Sequence, residues 1–338
     1  MAASSTAASS TAAANASAET PSAVASVTFG AVPNTLAQDK DALKAVYPDR
    51  FTQVDFLDQQ TGLSITCNMF LPEGYDESKS YPMVVFIADS SCAKGDAMQS
   101  LTQGLGALVW ATDEWQAVNP SIVCVPTYPE TILDDHNGYA TTEYVEATKR
   151  VITAVSNAYA VDENRIYGTG QSMGCMTTLI LASEYPDLYA AYMFVDGQWD
   201  VTTLEGLKGQ AFVYFAAEDD TPAFGGLNDV MKMFEEGFTV AEYAQWDGTW
   251  TPDELTAAAQ ELFSKGARAN FVSWKTGTIS AGGSSSSASD GGAISTGGGS
   301  RGGAGGGTGG ASYHMASFDY AYNCIAAMEW LFAQTKLA

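Results

Sequence analysis

Gly170-Gln-Ser-Met-Gly174 sets a serine between two glycines, at the end of a short apolar run and ahead of a helix-compatible one. A Gly-x-Ser-x-Gly pentapeptide carries chemistry only at a sharp strand-to-helix turn, where the glycines let the two backbones come close and the serine keeps its hydroxyl exposed. Arg165 to Gly168 read as the strand and Met173 to Leu181 as the helix. A serine hydroxyl becomes a useful nucleophile when a base takes its proton, and a carboxylate normally orients that base. Two histidines are available, His136 in the acidic turn Leu133-Asp-Asp-His-Asn-Gly and His314 after the last predicted strand. Three acids, Glu218, Asp219 and Asp220, end the apolar run Ala211-Phe-Val-Tyr-Phe-Ala-Ala. The Met173 N–H, at the helix N-terminus, is an expected donor to a developing oxyanion. The competing reading is a Gly-rich loop that merely joins a strand to a helix. A dinucleotide site is excluded, because Gly168, Gly170 and Gly174 lack Gly-x-Gly-x-x-Gly spacing.

Bringing these groups together requires a scaffold, and the remaining chain has the pattern of one. After a short helix over Asp39 to Val46, Phe51 to Leu57 and Ser64 to Leu71 read as an antiparallel hairpin turning at Thr61-Gly62. Tyr81 to Ala88 is a continuous apolar run of the type buried on both faces. Alternation follows: helix Ala97 to Ala117, strand Ile122 to Pro126, amphipathic helix Thr142 to Tyr159, then the serine strand and its helix. Strands are expected at Ala191 to Val195, Ala211 to Phe215 and Ala269 to Trp274. Helices are expected around Leu227 to Phe238, over Pro252 to Lys265 and from Phe318 onward. That order implies a mainly parallel sheet with helices on both faces and an N-terminal antiparallel hairpin.

Two stretches stand outside the pattern. Residues 1–38 read as a low-complexity tether, Ala/Ser/Thr-rich to about Ser26, which points to export or attachment at the cell surface. The folded domain is expected over 39–338, interrupted by a Gly/Ser-rich insertion at 278–312 that has too little apolar surface to order.

With 338 residues and 46% hydrophobic content, the chain can bury a large core. A formal charge of -24 argues against nucleic acid and against anionic membrane surfaces. No apolar run approaches the roughly 18 residues of a membrane span. The five cysteines, Cys67, Cys92, Cys124, Cys175 and Cys324, are scattered and form no metal-ligand grouping with either histidine, so neither a metal nor another cofactor is expected.

From about Tyr47 to Leu337, apart from the insertion, the chain resembles the α/β-hydrolase superfamily. Within it the resemblance is to secreted esterases of the polyhydroxybutyrate-depolymerase-like and feruloyl-esterase-like kinds and to prolyl-oligopeptidase-like peptidases. The matching stretches are Leu101-Thr-Gln-Gly-Leu-Gly-Ala-Leu-Val-Trp110, Val161-Asp-Glu-Asn-Arg-Ile-Tyr167, Gly170 to Gly174, Phe194-Val-Asp-Gly-Gln-Trp199 and His314-Met-Ala-Ser-Phe-Asp-Tyr-Ala-Tyr322. The chain departs from the family where Ala88-Asp89 replaces the usual His-Gly and where the insertion displaces the histidine.

The resemblance implies a triad in the chain order serine, acid, histidine. That order selects Ser172 and His314, leaves His136 as a loop or pocket-rim residue, and favours Asp220 over Asp219. It implies an oxyanion hole from the backbone of Met173 and Ser90, with Gln198 and Trp199 at the pocket mouth, where Trp199 either stacks on substrate or packs in the core. The activity implied is hydrolysis of small-molecule or polymer esters through an acyl-enzyme. A serine peptidase and a non-catalytic binding module are the alternatives.

Overall fold

The computed structural model describes residues 27–136, 138–280 and 310–336. Helix α1 (Lys40–Val46), capped by the Asp39 carboxylate on the Ala42 N–H, leads into β1 (Thr52–Leu57) and β2 (Ser64–Phe70). Then come β3 (Tyr81–Ile87), two short helices α2 (Gln99–Thr102) and α3 (Asp113–Val118), β4 (Ile122–Thr127) and a small hairpin of β5 (Leu133–Asp134) and β6 (Ala140–Thr141). Helix α4 (Glu143–Ala158) precedes the serine strand β7 (Val161–Gln171) and its helix α5 (Met173–Glu184). The chain continues through β8 (Ala191–Val195), β9 (Phe212–Ala217), α6 (Thr221–Glu236), β10 (Ala241–Trp246), α7 (Pro252–Ser264) and β11 (Ala269–Trp274). It closes with α8 (Gly310–Tyr322) and α9 (Ile325–Phe332).

Among the described residues, nine strands form one sheet in the order β1-β2-β4-β3-β7-β8-β9-β11-β10. The β1–β2 and β2–β4 pairs are antiparallel and the others parallel, as the strand–helix alternation implies. The serine strand is the middle one. Every residue of β3 is buried, and its side chains alternate between two cores. Val84 and Phe86 join the core under α7, α8 and α9, whereas Met83, Val85 and Ile87 join the core under α4, α5 and α6. Two apolar layers thus hold the central strands rigidly between helices, and this is the architecture of an α/β-hydrolase.

Several boundaries differ from the sequence reading. The expected helix over 97–117 is broken into α2, a 3-10 turn at Val109–Ala111 and α3. Strand β10 was not anticipated. It is the sheet edge, and its mix of half-exposed and exposed residues, with Glu242 and Gln245 among them, lacks an apolar signature. The last helix starts before Phe318 and is two helices, separated at Asn323 and Cys324.

The first 26 residues of the expected tether lie outside the described residues, but from Val27 the chain packs on the domain. Val32 and Ala37 are buried, and the Glu329 carboxylate of α9 accepts the N–H groups of Gly30, Ala31 and Val32 at 2.8, 2.8 and 3.0 Å. A carboxylate that gathers three backbone donors makes this segment part of the fold. Most of the expected insertion, 281–309, also lies outside the described residues, while Ile279 is buried and Gly310 already opens α8. All five cysteines are free and buried.

Candidate active site

Ser172 joins β7 to α5 at φ 51° and ψ -116°. An L-residue at positive φ costs on the order of 1–3 kcal/mol and persists where the surroundings over-determine it. Here the flanking glycines supply the determination. A Cβ on Gly174 would lie 1.8 Å from the Ile87 carbonyl oxygen, and one on Gly170 would lie 2.5 Å from the Gly174 carbonyl. The elbow therefore closes only with hydrogen at both positions. The Ser172 N–H donates to the Val195 carbonyl at 3.0 Å, tying the turn to β8.

His314 lies in α8, one turn into the helix, rather than ahead of a helix as the sequence reading placed it. Its Nε2 is 2.9 Å from the Ser172 Oγ and its Nδ1 is 2.5 Å from the Asp220 Oδ2. The ring is held edge-on against Phe318 at 4.8 Å between centroids, and the Ser317 hydroxyl donates to the His314 carbonyl at 2.8 Å. Lower on the same helix, Asp319 accepts the Leu105 N–H at 2.9 Å and pairs with Lys40, and the Tyr322 hydroxyl bonds Thr169 Oγ1 at 2.8 Å.

The three consecutive acids take three different partners. Glu218 accepts from Ser273 at 2.9 Å and from the Thr276 N–H at 3.0 Å, and Asp219 accepts the Gly277 N–H at 2.7 Å. Only Asp220, buried at the N-terminus of α6, meets the histidine. His136 is bonded to Asp135 at 2.8 Å and stays exposed on the turn of the β5–β6 hairpin.

Burial alone would depress the His314 pKa. The hydrogen bond and charge of Asp220, with the charges of Asp196 and Asp89, outweigh burial and raise it above its ordinary value. Asp196 lies in the Phe194–Trp199 stretch of the sequence reading but is given no role there. It ends β8 at φ 42°, fully buried, with Oδ1 accepting the Ala217 N–H at 2.8 Å. Burial and then the Asp220 charge push its pKa up to about 7. Part of the signal that marked Asp220, an acid following an apolar strand C-terminal to the serine strand, was present for Asp196 as well.

Ser90 opens the one-turn helix Ser90–Cys92, which follows the Ile87 and Ala88 carbonyls lying against Gly174. Met173 is the first residue of α5, and helix geometry gives its N–H no acceptor within the helix. The loop is fixed by Asp89, which caps Ser91 at 2.9 Å and accepts from Gln171 Nε2 at 3.0 Å. The expected His-Gly is thus replaced by an aspartate that ties this loop to the serine elbow. Trp199 is 6% exposed and packs in the core beneath Tyr139, whose ring meets it edge-on at 5.2 Å. The exposed aromatic there is Tyr139, at 40%. Gln198 donates to Asp135 of the small hairpin.

Residues 59–202 match the model of the Esterase family, described as "Putative esterase". The stretch includes the elbow but not Asp220 or His314. Among curated proteins none matches the sequence significantly. Solved structures with the same fold include a thermostable esterase, at 24% identity and TM-score 0.64, with 86% of this chain and 64% of that one covered. This chain therefore spans less than two thirds of that protein's length. A feruloyl esterase module from Clostridium thermocellum complexed with sinapinate matches at 16% identity and TM-score 0.46, over 67% of this chain and 80% of that one. An S-formylglutathione hydrolase from Staphylococcus aureus matches at 13% identity and TM-score 0.41, over 56% and 87%.

Proposed function

We propose that this α/β-hydrolase-fold chain is a carboxylic ester hydrolase that works through an acyl-enzyme on Ser172. The observation that carries the reading is the strained serine whose Oγ lies 2.9 Å from His314 Nε2, with Asp220 on the opposite ring nitrogen. The match of residues 59–202 to an esterase family supports the substrate class.

In this mechanism Asp220 accepts the Nδ1–H, which fixes the tautomer that leaves Nε2 free to take the serine proton. Ser172 Oγ attacks the ester carbonyl, and the N–H groups of Met173 and Ser90 receive the oxyanion. The imidazolium then protonates the departing alkoxide, and water repeats the sequence to release the acid. No cofactor is needed, because each proton moves between Ser172, His314 and substrate. Because the His314 pKa is raised, the base form is populated only above the ordinary imidazole value. The acid limb of kcat/KM should therefore lie above about 6.5.

Ser172→Ala tests the reading. Hydrolysis of a short-chain aryl ester should fall by several orders of magnitude with the far-UV spectrum unchanged, leaving about 10³-fold catalysis from the oxyanion hole and binding. Retained activity would refute it. Efficient cleavage of an unmodified peptide beside weak ester turnover would replace the esterase by a peptidase.

A further inference from the structure

Two buried aspartates, Asp196 and Asp220, close the neighbouring strands β8 and β9, and the charges of both act on His314. Asp196 brackets the end of β9. Its N–H donates to the Phe215 carbonyl at 2.9 Å, and its Oδ1 accepts the Ala217 N–H at 2.8 Å. The same Ala217 carbonyl accepts the Asp220 N–H at 3.0 Å, so the clamp reaches the residue that holds the histidine. The other oxygen, Oδ2, is buried without a hydrogen-bond partner among the described residues. The Ser317 hydroxyl, committed to the His314 carbonyl at 2.8 Å, lies alongside the carboxyl.

These features are unfavourable for folding alone. Glycine or asparagine would suit φ 42° better, and either would avoid a buried acid with an unpartnered oxygen. Strain and an unsatisfied buried group bonded to the strand end that precedes Asp220, within reach of the His314 charge, point to a role in the reacting machinery.

We propose that Asp196 is a positioning residue of the active site, a second carboxyl that acts through Asp220 and His314 by clamping the strand end that carries Asp220 and setting the charge around the imidazole. The inference rests on the triad reading of Ser172, His314 and Asp220.

The titratable groups around Asp196 come from each neighbouring element: Asp220 beyond β9, His314 on α8, Cys175 on α5 and Tyr214 on β9. Burial holds Cys175 and Tyr214 well above their ordinary values, so both stay neutral. The exchange that matters is therefore between Asp196 and His314. A proton on the imidazole favours the Asp196 carboxylate, and a proton on Asp196 favours the neutral imidazole. When His314 takes the serine proton, Asp196 supplies a second negative charge behind it.

Asp196→Asn keeps the shape and an acceptor for the Ala217 N–H but cannot ionise. Its kcat/KM profile on an aryl ester should show the acid limb moved toward lower pH by about one unit, the size ordinary for losing a nearby buried charge. An unmoved limb, with or without a change in stability, would make Asp196 a structural residue and overturn the proposal. Should Asp196→Asn fail to fold, Asp196→Gly asks the same question, since glycine suits φ 42° and also removes the charge. The limb must then move the same way; a limb that stays put overturns the proposal. Ser172→Ala, assayed alongside, separates the two readings. If it is active the triad reading fails. If it is inactive while the limb does not move, only the role of Asp196 fails.

Discussion

The burial of Asp196 has a consequence for stability that can be measured without any substrate. In the folded protein its pKa is pushed up to about 7, against 3.8 for the free side chain. Below about pH 4 the carboxyl is protonated whether the chain is folded or not, and it has no effect on the balance. Between about 4 and 7 the unfolded chain releases the proton and the folded one keeps it, so stability falls as pH rises. Above 7 both forms are ionised and the loss is complete. At about 1.4 kcal/mol per pH unit, a gap of roughly three units amounts to about 4 kcal/mol. The group is fully enclosed, so solvent screening does little to reduce this. The assay is urea unfolding at pH 4, 5, 6, 7 and 8, for the parent and for Asp196→Asn. Carboxyls remote from Asp196 titrate alike in both proteins and cancel in the difference, and a one-unit change at His314 adds at most about 1.4 kcal/mol. The parent should lose ground to the variant steadily from pH 4 to 7 and hold a constant offset above. A difference that stays flat across that window would show that Asp196 is not held protonated, and the charge argument built on it would fall.

The separate partners of Asp219 and Asp220 predict that Asp220→Asn lowers kcat by about 10⁴, whereas Asp219→Asn leaves it within a few-fold; steady-state kinetics of both variants decide the assignment. Gly174→Ala drives a methyl into the Ile87 carbonyl, so it should destabilise by at least about 1–3 kcal/mol in urea unfolding and abolish ester turnover by displacing the elbow. Glu329→Ala strips the acceptor from three backbone N–H groups, one of them on buried Val32, and should cost about 2–3 kcal/mol. Limited proteolysis should then cut ahead of Asp39 faster than in the parent, and an unchanged cleavage rate would show that Glu329 does not secure that segment.

What was legible in the sequence was whatever depends on neighbours along the chain. The glycine spacing around Ser172 dictates a close backbone approach, and the buried runs at Tyr81 and Ala211 mark central strands by composition alone. Element ends were harder. The apolar stripe from Phe318 to Phe332 continues across the break at Asn323 and Cys324, so periodicity shows one helix where two exist. Strand β10 hides because an edge strand keeps polar residues. The site details that escaped are tertiary. Asp196 is a buried acid in a setting that α8, through His314 and Ser317, helps to form, and the choice for Trp199 between stacking and core packing depends on neighbours such as Tyr139 from the β5–β6 hairpin.

The anchoring of α8 has a further meaning for how this chain can change. His314 is backed by Phe318, which is buried in the core, and on the same side Asp319 is held to Leu105 and Lys40 and Tyr322 to Thr169. A change of chain length between residues 280 and 310 is therefore expected to leave the imidazole in register with Ser172, since closing a longer loop adds only about 0.6 kcal/mol per doubling. That makes the junction ahead of α8 a natural splice point, where a foreign peptide or a reporter domain could be inserted at the brink of the active site without redesigning the site itself.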